Sequence, residues 1–103
     1  MDVILLKWRD IPSQVIVRQG RRRARARLSA RFQNAIDRAA MRAKKSSADA
    51  YLSEWARESV KPGAEDGAGD LQAVAERLAA RIETRYSDER LLALIRNHGL
   101  AED

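Results

Sequence analysis

Val3-Ile4-Leu5-Leu6-Lys7-Trp8-Arg9-Asp10-Ile11-Pro12-Ser13-Gln14-Val15-Ile16-Val17 is the densest run of β-branched, aliphatic and aromatic residues in a chain otherwise rich in Ala, Arg and Glu. Two apolar runs flanking Asp10-Ile11-Pro12-Ser13 predict a hairpin with a four- or five-residue turn, because Pro fixes φ and Asp and Ser satisfy turn backbone locally. Pro12 offers no ladder donor and is expected to keep the strands out of this turn. Val3 and Leu5 alternate with Ile4, Leu6 and Trp8, so the first strand is apolar on both faces and suits the middle of a sheet. The second, Gln14 to Gln19, sets Val15 and Val17 against Ile16 and Arg18, and Gly20 breaks or bulges it.

Arg21-Arg22-Arg23-Ala24-Arg25-Ala26-Arg27 follows. It reads either as an extension of strand two with its arginines on one solvated face, or as a loop leading to a helix capped at Ser29. Over residues 30–44, Phe32, Ile36, Ala39, Ala40 and Ala43 recur at helical spacing on a narrow, small-residue face. Ser47 and Asp49 suit the start of a short helical turn near Ala50. Tyr51 to Val60 fits both periods; its two aromatics and the approach to Pro62-Gly63 favour a third strand. Lys61 to Gly69 is an acidic, glycine-rich loop carrying Glu65 and Asp66. Asp70 then caps a helix with Leu71, Val74, Ala75, Leu78, Ala79, Ile82 and Tyr86 on one face, and Ser87 caps a last helix that Gly99 ends. The expectation is one α+β domain over residues 1–103: an antiparallel sheet of about three strands with two to three helices on one face, in the order β-β-α-β-α-α.

A chain of 103 residues can bury a core without staples but has no room for a large catalytic apparatus. With no Cys and only His98, thiolate and multi-histidine metal centres are excluded, and no cofactor, metal or catalytic residue is predicted. The N-terminus lacks the order of a signal peptide and no apolar run approaches the roughly 20 residues of a membrane span, which points to the cytoplasm. The net charge of +5 hides an asymmetry: residues 1–45 carry 13 Lys and Arg against three Asp, a balance of +10, and residues 46–103 carry seven against 12 acids, a balance of −5.

Trp8-Arg9-Asp10-Ile11-Pro12-Ser13-Gln14-Val15, the stretch from Arg31 to Arg42 that begins Arg31-Phe32-Gln33-Asn34-Ala35-Ile36, and Tyr51-Leu52-Ser53-Glu54-Trp55 together resemble a small bacterial family named virulence factor, over nearly the whole chain to about Ile95. That name designates no activity, and no catalytic residue carries over. Similar modules fused to helical repeats imply an adaptor, and neighbours among corrinoid and tetrahydrofolate enzymes imply an accessory role in one-carbon chemistry.

Candidate binding residues follow from charge. Six guanidiniums within ten residues, Arg18, Arg21, Arg22, Arg23, Arg25 and Arg27, repel one another, and folding alone gives no reason to keep them close. With Trp8, Arg9 and Asp10 nearby they are expected to form a basic site for an acidic protein partner. RNA or DNA binding is the alternative, since closely spaced guanidiniums contact successive phosphates, although no stacking platform or recognition helix is visible. The bland readings are a basic run neutralised by the acidic half of the chain, Trp8 in the core, and Arg9 with Asp10 ordering the turn.

Overall fold

The computed structural model describes residues 1–61 and 69–102. The elements are β1 (Asp2–Trp8), β2 (Ile11–Gln19), β3 (Arg22–Arg27), α1 (Ala30–Arg42), α2 (Ala48–Ser53), β4 (Trp55–Val60), α3 (Leu71–Arg85) and α4 (Asp88–Arg96). The strands form one antiparallel sheet in the order β3-β2-β1-β4. This is the expected α+β fold, with four strands instead of about three. The acidic loop read around Glu65 and Asp66 lies outside the described residues.

The added strand is the arginine run itself. Gln19 pairs with Arg22, so Gly20 and Arg21 make a two-residue turn, and Gly20 takes the left-handed φ of 61° that such a reversal favours. The run thus neither continues β2 nor forms a loop; it folds back beside β2 as an edge strand. Val17 faces Ala24 and Val15 faces Ala26 across the pair.

The first turn is also tighter than expected. Trp8 pairs with Ile11, leaving only Arg9 and Asp10 between the strands, and Ile11 and Pro12 are buried within β2. A register shift between Leu6 and Lys7 leaves Ser13 without a partner on β1. Such a bulge is where a strand tolerates proline. The stretch from Tyr51 to Val60 divides: Tyr51 to Ser53 close α2 behind Ser47, and the expected strand begins only at Trp55.

The contiguous core lies between one sheet face and the helices. Val3, Val15, Val17 and Ala24 of the sheet meet Phe32, Ala35, Ile36, Ala39 and Ala40 of α1, Leu71, Val74, Ala75, Leu78 and Ala79 of α3, and Leu91, Leu94 and Ile95 of α4. Alanines on both sides let helix and sheet backbones approach closely, and Phe32, Ile36 and Val74 fill the remaining space without exposure to water. Asp70 and Ser87 cap α3 and α4 as read, accepting from Ala73 N at 2.7 Å and Arg90 N at 3.1 Å.

The tight β1–β2 turn requires φ of 52° at Arg9, a conformation unusual for a residue with a side chain. Its surroundings hold it there. Arg9 N donates to Glu54 O at 3.1 Å, Asp10 N to Gly99 O at 2.8 Å, and Ala101 N to Asp10 Oδ2 at 2.6 Å. Gly99 sits at φ 88°, and a Cβ there would lie 2.9 Å from Trp8 Cζ3. Gly99→Ala is therefore expected to destabilise the domain by about 1–3 kcal/mol through strain and overlap. Urea unfolding checks this, and an unchanged midpoint would show that Trp8 does not pack tightly against this segment.

Candidate functional site

Strand register places the arginines in rows. Opposite the helices, one sheet face carries Arg23, Arg18 and Asp2 in its first row, Arg25, Ile16, Ile4 and Ser59 in its second, and Arg27, Gln14, Leu6 and Arg57 in its third. Ile4 and Ile16 are only 7% and 6% exposed yet stand outside the contiguous core. Arg25 directly opposite Ile16, and Arg18 two residues along β2, are placed so that their apolar stems can cover this isoleucine while their charged ends reach water. Arg23, Arg25 and Arg27 are exposed and Arg18 is half-buried.

Their electrostatic situation differs from that of the other cations. Glu54 receives Arg9 at 3.0 Å and Lys45 at 3.7 Å, Glu58 receives Lys7 at 2.9 Å, and Arg31 binds both Glu83 and Asp88 at 3.2 Å. Glu54, Glu58, Glu83 and Asp88 of the acidic half are thus paired with Lys7, Arg9, Arg31 and Lys45. Among the described residues, Arg21, Arg22, Arg23, Arg25, Arg27 and Arg57 have no ion-pair or side-chain hydrogen-bond partner, and Arg18 has only Asp2 at the outer limit of 4.0 Å. Arg18 and Arg23 face each other directly, a like-charge pair that opposes folding.

The nine candidate residues do not form one surface. Arg18, Arg23, Arg25 and Arg27 share the open face, Arg22 falls on the opposite side of β3, and Arg21 is in the turn. Trp8, Arg9 and Asp10 belong to the other end of the hairpin, about 20 Å from Arg18 at ~3.3 Å per strand residue. Trp8 is fully buried, so it offers no flat apolar surface to a partner. Its Nε1 donates to Tyr51 O at 2.9 Å, and its ring stacks on Tyr51 at 6.0 Å. Arg9 is occupied by Glu54 and by the carbonyl of His98 at 2.9 Å. These three residues order the turn and dock the C-terminal segment.

Two further residues belong to the open face. Arg57, across the sheet on β4, adds a cation beside Leu6, and Gln14 has a buried Oε1 with no partner among the described residues. The strict Arg-Ala alternation was the available signal for the row; nothing local pointed to Arg57, which arrives through the β1–β4 pairing. A cavity of about 440 Å³ opens at this end of the face, lined by Leu6, Gln14, Arg27, Trp55 and the first residues of α1. Among the described residues no cluster of three or more His, Cys, Asp or Glu is arranged to hold a metal, and no helix is long and apolar enough to cross a membrane.

Fold and face together define a small α+β domain whose sheet packs on helices on one side and on the other carries arginines that are unpaired among the described residues. The Virulence factor family model matches residues 6–95, and the chain belongs to that family. No curated protein and no solved structure matches it.

Two carboxylates titrate abnormally, and both are structural. At Glu54 the hydrogen bond from Arg9, with the charges of Arg9 and Lys45, holds the carboxyl below its ordinary 4.5 against partial burial. At Glu83 burial favours the neutral form, but hydrogen bonds from Ser29 N and Oγ and from Arg31 outweigh it and lower the pKa. Each group therefore contributes stability that is complete above about pH 4.5 and is lost as pH falls through its lowered folded value. Melting temperature measured against pH is expected to fall below pH 4.5, and less steeply in Glu54→Gln and Glu83→Gln. Parallel curves for wild type and both variants would contradict the assignment.

Proposed function

We propose that this domain is a binding module that takes an acidic protein partner on its open sheet face, with Arg18, Arg23, Arg25 and Arg27 as principal contacts and Arg57 at the far side. The observation that supports this is the disposition of charge: the chain pairs Lys7, Arg9, Arg31 and Lys45 with its own acids and leaves the β3 row unpaired among the described residues. Four guanidiniums on one rigid sheet cost stability through repulsion, and an anionic partner relieves that cost on binding. Charge complementarity of this kind speeds encounter and excludes basic competitors.

No group on the face forms a nucleophile–base pair, so the reading is of binding and not of catalysis. A role beside one-carbon enzymes fits this reading as the partner being such an enzyme, presenting an acidic surface. Nucleic acid is the competing ligand, since the same guanidiniums fit phosphates; Trp8 is buried, and the ring this face offers among the described residues is the half-buried Trp55 in the cavity beside Arg27, one ring where a run of stacked bases needs several.

The test uses the triple variant Arg23→Gln, Arg25→Gln and Arg27→Gln. Glutamine removes charge and retains part of the stem that shields Ile16, which serine would strip away. Fluorescence anisotropy with labelled polyglutamate is expected to show binding by the wild type that weakens as salt rises, and at least a tenfold loss in the variant. The variant's unfolding midpoint should equal or slightly exceed that of the wild type, by about 0.2–1 kcal/mol for relief of the Arg18–Arg23 pair. Binding unchanged by the three substitutions would refute the site. Tighter binding of a single-stranded oligonucleotide than of polyglutamate at equal salt would refute the partner class.

A further inference from the structure

β3 is an edge strand, and its backbone shows which residues face outward. Leu28 N, just past its end, donates to Ser13 O on β2 at 3.0 Å. Backbone direction alternates along a strand, so Ala24 and Ala26 turn their N–H and C=O groups toward β2, while Arg23, Arg25 and Arg27 turn theirs to the free edge. The carbonyl of Arg25 agrees: it accepts from Gln72 Nε2, which reaches down from α3 at 3.1 Å. Gln72 is exposed and is the side chain seen on that row of groups among the described residues.

The residues with outward backbone groups are therefore the same residues that carry the unpaired guanidiniums on the open face. Taking the acidic-partner reading as its basis, we infer that the partner binds as an extended segment added to β3, with Asp or Glu at every second position. A peptide residue opposite Arg25 in an added antiparallel strand exchanges both backbone hydrogen bonds with it and projects its side chain to the same face. Its Cβ then lies about 4.5–5.5 Å from that of Arg25, within reach of a carboxylate–guanidinium pair. The next acid along falls about 6.7 Å further, opposite Arg23 or Arg27. Intervening peptide residues join the side of Ala24 and Ala26 beneath α3, where a β-branched residue suits the strand geometry.

The opposite edge does not fit this partner. β4 carries Arg57 and Glu58 in succession, and Glu58 already binds Lys7 at 2.9 Å. A nucleic acid strand fits the β3 edge poorly, because its phosphates can accept from the N–H groups but it has no regular row of donors for the C=O groups between them. The edge thus selects a peptide and the row of arginines selects an acidic one.

Four labelled seven-residue peptides titrated into the whole chain test this: one alternating Glu and Val, one with the same residues in two blocks, and two alternating peptides N-methylated either at Glu or at Val. Strand addition predicts that the alternating peptide binds on the order of tenfold more tightly than the block isomer, the worth of one or two well-placed hydrogen bonds. Methylation at Glu, whose amides face β3, abolishes that advantage, and methylation at Val, whose amides face away, leaves it. The amides of Arg23, Arg25 and Arg27 exchange more slowly in the complex. Equal binding by all four peptides, lost in the triple Gln variant, would overturn strand addition and leave the acidic-partner reading standing. Absence of binding by every acidic peptide and by polyglutamate would remove that reading itself.

Discussion

The close packing of α3 on β3 sets the rest of this structure. Ala24 and Ala26 are the residues that β3 turns toward α3, and α3 answers with Ala75 and Ala79 among its buried residues. Small side chains on both elements bring the backbones together. A strand that commits its even positions to that contact sends its odd positions to the other face, because the side-chain period of a strand is two. Arg23, Arg25 and Arg27 are placed by the alanines between them, and the core is closed without their charges.

The same sorting explains how a chain with opposite charges in its two halves divides its electrostatics. At two joints of the fold a cation is given an acid: Arg31 and Ser29 share Glu83 at the start of α1, and Arg9 holds Glu54 at the β1–β2 turn. These contacts sit at joints, where backbone strain at Arg9 and the start of a helix need support. The face of β3 is not a joint. Its arginines receive nothing comparable among the described residues, so their repulsion is a cost to the fold that the proposed acidic partner would relieve.

Much of this architecture was legible in the sequence. Apolar residues on both faces of β1 marked it as central; the helical spacing from Leu71 to Tyr86 marked α3; Asp70 and Ser87 marked two caps. Four features were not. Pro12 looked like a strand terminator because a bulge that admits proline depends on the partner strand's register, which no local pattern encodes. The Tyr51 region fits both periods because it contains both structures, with the change at Glu54 fixed by its carbonyl's hydrogen bond from Arg9, 45 residues away. The candidate site was read as a single patch because Trp8, Arg9 and Asp10 are near the arginine run in sequence; the hairpin carries them to its opposite end. Arg57 was invisible for the converse reason, being distant in sequence and brought alongside by β4.

The central claim is that the charges of the arginine row serve ligand binding and add nothing to folding stability. It is tested most directly by melting temperature with and without a saturating acidic polypeptide, in wild type and in the Arg23, Arg25 and Arg27 to Gln variant. Ligand at a hundredfold excess over Kd adds about 2.7 kcal/mol to the folded state, roughly 10 °C or more for a domain of this size. The account predicts that shift in the wild type, little or none in the variant, and equal or higher melting of the free variant. A variant that melts well below the wild type without ligand, or one that shifts as far with it, would contradict the account.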